Sequence, residues 1–481
     1  MKRGKTLIGL LLVLAVLLGA TAIAQKLNPE LNVEETEEVT LLELDTEAVT
    51  NLSWSYEDET VALTHGEEGW AYEADSSFPL QQSRPDSMVS TLASLSVDKM
   101  IETPAELSEY GLDEPVCTIQ VTAGEETEIL VGDENTMDGG RYVSIGDGKV
   151  YLVEDSLLDV FSGGLYDLVE KETLPNLTRL KGVTIDGETV SLELCYLEDS
   201  GLAYSDEYTW FLREGETYLT LDPERTDSLL DHIQGLYWGE CVDYKADEAA
   251  LAEYGLDTPA VTVTADYTET VQVETGETDE DGNTVYDTQE REGTFVLEIG
   301  DYEGDSCYAR IAGSQMVYLI DASVCDALLY TGYDALRPDD ILRMDWDTVT
   351  AIDITLDGTA YHVERTVEEV TDDEGDTSEE TFYRLDGAEL ALEDVLDELL
   401  SMESTGSQDG LPPQRESVLR FRFYRNTDTF QEVELTFYRY DSTSCLVEFN
   451  GECRLFADRE TVDGIADELE QLLSGEEAAE E

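Results

Sequence analysis

Basic side chains are scarce in this chain. Its 481 residues include 27 lysines and arginines against 111 aspartates and glutamates, which gives a formal net charge of −84. Such a field repels nucleic acid, anionic lipid and anionic wall polymers, and it attracts cations or a basic partner. A solvated, salt-tolerant surface would produce the same charge. We therefore exclude nucleic acid as a partner. The charge either attracts cations or a basic partner or only keeps the surface solvated, and both interpretations stay open.

Catalytic and metal-binding motifs are absent from the sequence. The three histidines, His65, His232 and His362, stand apart without metal-ligand spacing. No Gly-x-Ser-x-Gly elbow, phosphate-binding glycine loop or His-Glu-x-x-His motif occurs. Among so many acidic residues, paired carboxylates arise by chance. We predict no catalytic, cofactor-binding or metal-binding residue, and a protein that is not an enzyme.

Two acidic segments qualify that prediction, because carboxylate-rich turns are where calcium binds. They are Asp279–Asn283 and Asp372–Asp376. Neither follows the full EF-hand order, since Gly282 comes directly after Asp281, and with the glycine of either segment at the sixth position the twelfth is a threonine rather than a glutamate. Calcium is thus the one cofactor that the sequence allows.

Cysteines are few and scattered. The seven, odd in number, never form a Cys-x-x-Cys pair, so the sequence indicates neither a disulfide framework nor a zinc site. Several alternate with apolar residues and are predicted to be buried thiols. A two-residue turn at Asn450-Gly451 would place Cys453 opposite Glu448 rather than opposite Cys445, which argues against a bridge between these two cysteines.

Long apolar runs are limited to one, Leu7–Ala24, which follows Lys2, Arg3 and Lys5. Its 18 uncharged residues lie near the lower limit for a membrane-spanning helix. They also fit a signal peptide with a cleavage site at Ala22-Ile23-Ala24. Either interpretation places the rest of the chain outside the cytoplasm. We expect a single-pass anchor in the cell membrane, with signal-peptide cleavage as the alternative.

The most informative feature present is a repeated heptapeptide, Glu-Tyr-Gly-Leu-Asp-x-Pro. A helix-forming segment precedes each copy and a β-patterned segment follows it, so the glycine is expected to end a helix in the left-handed conformation. We interpret the motif as a structural helix–strand corner rather than as a binding site. Its residues are Tyr110, Gly111, Leu112, Asp113 and Pro115 in one copy and Tyr254, Gly255, Leu256, Asp257 and Pro259 in the other.

The similarity extends on both sides of this corner. Trp70 matches Trp210 upstream, and downstream the Gly132-Asp133 pair matches Gly300-Asp301. The second copy carries an acidic insertion, Thr275–Gly293, which is interpreted as an elongated hairpin tip. A more diverged third copy, without the corner, is predicted from the strand and helix patterns after residue 338.

These patterns predict an α+β protein made of tandem antiparallel sheets, each packed by short helices, after one N-terminal transmembrane or signal helix. The expected domains are residues 1–27 (anchor or signal peptide), 40–175, 176–338 and 339–474 (three repeat units), and 475–481 (an acidic, disordered tail).

The order of these features resembles the bacterial domain of unknown function 4340. Trp-containing strands, Tyr-Gly-Leu-Asp-x-Pro, an Ile/Val-Gly-Asp segment and Val-Tyr-Leu-Val succeed one another across Leu52–Pro175 and Asn176–Pro338. The resemblance implies a membrane-anchored, extracytoplasmic protein found beside components of ABC-type transporters. It supplies no catalytic residue.

Three functions follow as hypotheses. The first is a non-enzymatic accessory or scaffold protein at the cell envelope, with transporter subunits or other envelope proteins as partners. The second is an envelope hydrolase that uses carboxylates, which requires a cleft with raised carboxyl pKa values. The third is a calcium-dependent adhesion module. One basic cluster lies on a predicted strand pair and contains Arg415, Arg420, Arg422, Arg425 and Arg439. Within it, Arg420 and Arg422 share one face of a strand and could dock a partner, although pairing with Glu432 and Glu434 would also explain them.

Overall fold

The structure is a computed structural model that describes residues 40–474 apart from 138, 155, 199, 279–282, 372–376 and 408–416; for 452–454 it describes the backbone only. The described residues fall into two compact units. The first runs to Glu172 and includes Glu240–Tyr244, and the second contains Thr173–Gly239 and the chain from Lys245 onwards. The N-terminal apolar segment and the acidic tail lie outside the described residues.

The first unit contains one antiparallel sheet, in the order β3-β2-β1-β5-β6-β7-β8-β4. Buried residues alternate with half-buried ones along β1 and β5, as expected where one face of a sheet is covered more fully than the other, and the buried ones form the core. Two helices supply the covering side chains, among them Met88, Leu92 and Phe161. The elements are β1 (Asn51–Tyr56), β2 (Glu59–Gly66), β3 (Gly69–Tyr72), α1 (Ser83–Ser94), β4 (Val97–Ile101), β5 (Cys117–Ala123), β6 (Glu125–Glu134), β7 (Arg141–Ser144), β8 (Val150–Val153) and α2 (Ser156–Phe161).

The second unit begins with a sheet whose strands follow the order β12-β11-β10-β9-β14-β15-β16-β17. Its elements are β9 (Leu180–Gly187), β10 (Ser191–Tyr196), β11 (Trp210–Glu214), β12 (Thr217–Thr220), α3 (Pro223–Gln234), α4 (Glu248–Glu253), β14 (Val261–Thr278), β15 (Thr284–Glu303), β16 (Ser306–Ile311), β17 (Val317–Asp321), α5 (Ala322–Tyr330) and α6 (Tyr333–Leu336). The number β13 belongs to Cys241–Asp243, which is part of the first unit.

A further sheet in the second unit has the order β21-β20-β19-β18-β23-β24-β25-β26-β22. Its elements are β18 (Val349–Leu356), β19 (Thr359–Thr371), β20 (Thr377–Leu385), β21 (Ala388–Glu389), α7 (Glu393–Leu400), β22 (Gly406–Ser407), β23 (Ser417–Arg425), β24 (Glu432–Arg439), β25 (Ser444–Phe449), β26 (Glu452–Asp458) and α8 (Arg459–Ser474). Both α7 and α8 bury leucines in one hydrophobic core with the strands.

The three sheets repeat one topology. In each, consecutive strands form a meander (three in the first sheet, four in the second and third), a helix follows, and the chain returns to pair beside the first strand of the meander (β1 with β5, β9 with β14, β18 with β23). The predicted α+β class with repeated sheet units is thereby confirmed, and the third sheet has the topology of the other two. The predicted domain boundaries stay predictions, since only two compact units separate.

The insertion in the second sheet forms the expected hairpin. Strands β14 and β15 pair from Val261 and Ile299 out to Thr278 and Thr284, whereas β9 pairs with β14 only as far as Tyr267. The hairpin therefore extends beyond its neighbour as a two-stranded ribbon. The acidic tips at 279–282 and 372–376 lie outside the described residues, so calcium binding there stays a prediction.

A short helix precedes both corners, as predicted, but its type differs between the two copies. Leu107–Tyr110 is a 3-10 helix, while its counterpart α4 is an α-helix. The cause is the cap. Asp247 accepts hydrogen bonds from the backbone N–H groups of Ala249 and Ala250, but Glu106 provides no side-chain cap in the first copy. Because uncapped N–H groups disfavour a short α-helix, the first copy has the tighter turn.

Candidate functional site

The repeated corner has the same geometry in both copies. Gly111 and Gly255 adopt φ values of +67° and +69°, the left-handed conformation predicted for them. The next N–H returns to the preceding turn, from Leu112 to the Leu107 carbonyl at 3.0 Å and from Leu256 to the Leu251 carbonyl at 2.8 Å. Leu112 and Leu256, the motif leucines, are both buried. The other motif residues continue into the turn, where Asp113 and Asp257 are exposed and Pro115 and Pro259 are half-buried.

The Gly-Asp pairs, distant in sequence, lie directly against these corners. A Cβ atom on Gly132 would come within 2.2 Å of the Tyr110 carbonyl oxygen, and one on Gly300 within 2.1 Å of the Tyr254 carbonyl oxygen. The aspartate that follows each glycine lies over Gly111 or Gly255. The two repeated motifs are therefore the two halves of one packing contact, a relation that their sequence spacing did not reveal.

The third sheet lacks both halves of this contact. Strand pairing shows which residue of the third sheet is equivalent to Val131 and Ile299. In each sheet, the last residue of the first meander strand pairs with a residue of the returning strand, and that residue pairs in turn with one on the next strand. This last residue is Val131 in the first sheet, Ile299 in the second and Phe437 in the third. The next residue is then Tyr438 instead of glycine. The sequence has no third Tyr-Gly-Leu-Asp either. The glycine of the Gly-Asp pair is needed only where the Tyr-Gly-Leu-Asp corner packs against it. A motif with a purely structural role would therefore lose the corner and the Gly-Asp pair together.

Within the second unit, the loop between β10 and β11 contacts the third sheet; we call residues 200–209 the docking loop. The Asp345 carboxylate accepts hydrogen bonds from Ser205 Oγ at 2.8 Å and from the Asp206 backbone N–H at 3.1 Å. The Arg425 guanidinium donates to the Tyr204 carbonyl at 2.8 Å. These bonds fix the docking loop on the third sheet.

Arg425 is the most deeply buried of these groups, with 3% of its side chain exposed. Its burial lowers the pKa of the guanidinium, and the Asp345 carboxylate 3.8 Å away acts in the opposite direction. In the sequence, Arg425 belongs to the same basic cluster as Arg420 and Arg422. The structure separates it from them, because β23 turns this residue towards Thr348 and the docking loop.

The other described arginines of the basic cluster each lie close to a carboxylate. Arg422 lies 2.6 Å from a Glu434 oxygen, and Arg420 lies 3.7 Å from the other oxygen of the same carboxylate. Glu432, the other predicted partner, is instead opposite Tyr424. Arg415 falls outside the described residues, and Arg439 lies beside Asp463. These ion pairs weaken the case for a partner-docking patch here.

A cleft of 350 Å³ opens beside the docking loop. Tyrosines and arginines line it together with apolar side chains from β12, α6 and the third sheet. The Arg343 guanidinium lies 5.8 Å from the centre of the Tyr208 ring and 2.7 Å from Asp340. A cleft with apolar walls and a few fixed polar groups is the usual form of a binding site. Its principal residues are Leu202, Tyr204, Tyr208, Tyr218, Leu219, Tyr333, Arg337, Arg343, Val447, Phe449 and Leu455.

Sequence reasoning missed this cleft. Its residues come from segments more than 200 positions apart, and none belongs to a motif that repeats. The one available signal was the excess of tyrosine in the chain, 25 residues, which did not indicate where they would meet.

Carboxyl groups with clearly shifted pKa values all shift downwards in the part of the chain that the structure describes. They are Asp147, Glu292, Asp321, Asp353, Glu368, Asp441 and Asp458. Lowered values reflect carboxylates held ionised by hydrogen bonds. A carboxyl general acid needs the opposite shift. The feature that would have favoured the hydrolase hypothesis is thus not found among the described residues.

Histidine, cysteine and acidic side chains could form a metal site, and the cysteines could form disulfide bonds. Among the described residues, no group of three or more histidine, cysteine or acidic side chains could hold a metal ion. The six described cysteines are free thiols. Glu448 lies opposite Cys453 and Cys445 opposite Ala457, in the register that the Asn450-Gly451 turn predicted.

One half-buried carboxylate gives a pH-dependent prediction. Asp353 accepts hydrogen bonds from His362 Nδ1 at 2.6 Å and from the Tyr424 hydroxyl at 2.7 Å. Partial burial raises the pKa of Asp353, but these two bonds outweigh burial and leave it below the usual value. A lowered pKa in the folded state stabilises the fold above the pKa of the unfolded chain, and the contribution disappears as the pH falls through the folded-state value.

We therefore expect Asp353→Asn to lower the free energy of unfolding at pH 7 by about 1 kcal/mol, a figure reduced because the side chain is partly solvated. The difference from the wild type should shrink towards zero as the pH falls below the lowered folded-state pKa, where the carboxylate is protonated in both states. Urea unfolding at several pH values measures both quantities. The exposed Glu369 on the same sheet is the control, and a loss that is independent of pH would contradict the assignment.

The fold defines the class: an α+β protein of tandem antiparallel sheets. A family model, that of the domain of unknown function DUF4340, matches residues 70–217 and 210–410. Together the matches span 70–410, more than half of the chain, so the protein belongs to the DUF4340 family. Neither the comparison with curated proteins nor that with solved structures returned a match.

The matched segments differ from those expected. The sequence motifs predict family units at 52–175 and 176–338. Each match instead begins at a tryptophan in the third meander strand, Trp70 in β3 or Trp210 in β11. The first match ends in β12, and the second continues through α7 of the third sheet. A tandem repeat can be divided at any equivalent point, so one family unit spans parts of two successive sheets.

Neither the structure nor the comparisons test the predicted membrane anchor. No helix in residues 40–474, as far as the structure describes them, is long and apolar enough to cross a bilayer. The predicted anchor, Leu7–Ala24, is not among those residues.

Proposed function

We propose that the protein is an extracytoplasmic, membrane-anchored accessory or scaffold protein that binds a polypeptide of an envelope complex, such as an ABC-type transporter. The observation that carries this proposal is the tyrosine–arginine cleft beside the docking loop. The N-terminal apolar segment supports the location, and the family resemblance supports the kind of partner.

The chemistry of the cleft favours a polypeptide as its ligand. Tyr218 and Tyr333 provide aromatic surface at little cost in conformational entropy, and tyrosine and arginine are enriched among the residues that dominate protein interfaces. Leu219, Val447 and Phe449 provide an apolar floor for side chains of the partner. The net charge of −84 would draw a segment with basic residues towards the cleft.

Affinity capture from membranes tests the proposal. Tyr218→Ala together with Tyr333→Ala should reduce the recovery of transporter subunits about thirtyfold, which corresponds to about 2 kcal/mol of binding free energy. The matched control is Tyr286→Ala, because Tyr286 is 52% exposed on the ribbon and lies outside the cleft. Equal recovery with the cleft variant, or no transporter subunit captured by the wild type, would refute the proposal.

A further inference from the structure

Strand β12 forms one edge of the second sheet and borders the tyrosine–arginine cleft. Among the described strands it pairs only with β11. Three successive residues of β12, Tyr218, Leu219 and Thr220, line the cleft. Because successive strand residues point to opposite faces of a sheet, a cleft that all three reach lies along the free edge of the strand and not over one face.

The hairpin turn determines which backbone groups this free edge presents. A two-residue turn at Gly215-Glu216 joins β11 to β12. The residues that flank such a turn, here Glu214 and Thr217, form a hydrogen-bonded pair, and bonded pairs alternate along the two strands. The N–H and C=O groups of Tyr218 and Thr220 therefore point away from β11, and no other described segment bonds to them.

The walls of the cleft provide surfaces for the side chains of an added strand. Val447, Phe449 and Leu455 of the third sheet form an apolar wall. Two exposed carboxylates, Glu214 and Asp334, also belong to the lining. The side chains of a strand point alternately in two directions, so one set can contact the apolar wall while the other set lies near the carboxylates and the solvent.

We propose that the cleft receives its polypeptide as an extended strand, with apolar and basic residues in alternation, that pairs with the free edge of β12. This inference rests on the proposed function and specifies how the ligand is recognised. In strand addition, backbone hydrogen bonds supply affinity and pockets for alternate side chains supply specificity. Apolar positions fit the wall formed by the third sheet, whereas basic positions fit the exposed carboxylates and the net charge of −84. An α-helical ligand is disfavoured, because its backbone groups are already bonded within the helix.

A model peptide tests the inference on the full-length protein. The probe is a heptapeptide, capped at both ends, in which valine and lysine alternate. We expect it to bind with a dissociation constant below about 1 mM, and a peptide with glutamate in place of lysine to bind at least about tenfold more weakly. Binding should slow hydrogen exchange at the N–H groups of Tyr218 and Thr220. Exchange at Thr217 and Leu219 should not change, because their N–H groups already bond to β11.

Thr220→Pro is the diagnostic substitution. It removes an N–H group that faces the cleft and that β11 does not use, and proline is tolerated at such positions of an edge strand. It should weaken binding of the valine–lysine peptide about tenfold. Thr220→Val is the matched control, since it keeps the N–H group and the shape of the side chain and should bind like the wild type.

The same two variants separate this inference from the proposed function. If capture of a transporter subunit from membranes depends on Tyr218 and Tyr333 but is unaffected by Thr220→Pro, the cleft binds a polypeptide in another conformation and strand addition is refuted. Strand addition is also refuted if the valine–lysine peptide does not bind, if the glutamate peptide binds equally well, or if exchange at Tyr218 and Thr220 is unchanged. The exchange measurement uses the wild type, so it decides the question even if Thr220→Pro folds poorly.

Discussion

Gly300→Ala should lower the free energy of unfolding by about 3 kcal/mol or more, the upper end of the range for a side chain forced into a packed site. The new Cβ atom would lie 2.1 Å from the Tyr254 carbonyl oxygen, with the Leu256 Cγ atom at 3.1 Å. The Tyr254 oxygen belongs to the backbone and already accepts the Asp301 N–H at 2.9 Å. The corner would have to move away from β15, which would break that bond. Urea unfolding of the full chain measures the loss.

Two glycine variants serve as controls for this experiment. Gly464 lies in α8 with nothing within 4 Å of its added Cβ, so alanine there should stabilise the protein by about 0.5–1 kcal/mol. In the first sheet, Gly132→Ala should be as harmful as Gly300→Ala, whereas Gly66→Ala in β2 has open space and should be tolerated. Near-normal stability of Gly132→Ala and Gly300→Ala would contradict the interpretation that the repeated motifs form a packing contact.

Arg425→Ala is expected to have the second-largest effect, a loss of about 2–4 kcal/mol in the stability of the second unit. The substitution leaves the Tyr204 carbonyl and the Thr348 hydroxyl without a charged donor in a site from which water is largely excluded. It also removes the packing of a side chain that is 3% exposed. Hydrogen exchange should show faster exchange in the docking loop and in Arg425's own strand, β23.

Arg422→Ala is the matched control for Arg425→Ala, because it removes an arginine from the same strand. The Arg422 side chain is 40% exposed, and its ion pair with Glu434 lies on the solvent face. Exposed pairs contribute roughly 0–1 kcal/mol, so this variant should be nearly neutral. If both arginine variants cost the same, the docking loop is not held in the way described.

The fold could be predicted from the sequence wherever local chemistry was decisive. Left-handed glycines, the Asn450-Gly451 turn and amphipathic helices such as Leu390–Met402 each depend on a few neighbouring residues, and the structure has them at or near the predicted positions. The short helix before each corner was also expected, but helix propensity alone did not show that the first copy lacks a cap and adopts the 3-10 form.

What the sequence could not supply were contacts between distant segments. Gly132 fits under the corner only because its strand, β6, is correctly paired within the sheet. Arg425 is buried because the docking loop, some 220 residues earlier in the chain, covers it. The cleft has the same origin. Residues that meet only through tertiary structure carry no periodicity or spacing by which they could be recognised.

Photo-cross-linking in native membranes tests the central claim most directly, namely that the tyrosine–arginine cleft receives a polypeptide partner. A photoreactive phenylalanine analogue at position 218 should cross-link to one transporter or envelope subunit, whereas the same group at position 286 on the ribbon should not. The adduct should weaken when Tyr333 is also replaced by alanine. Absence of any adduct from position 218, or the same adducts from both positions, would contradict the account.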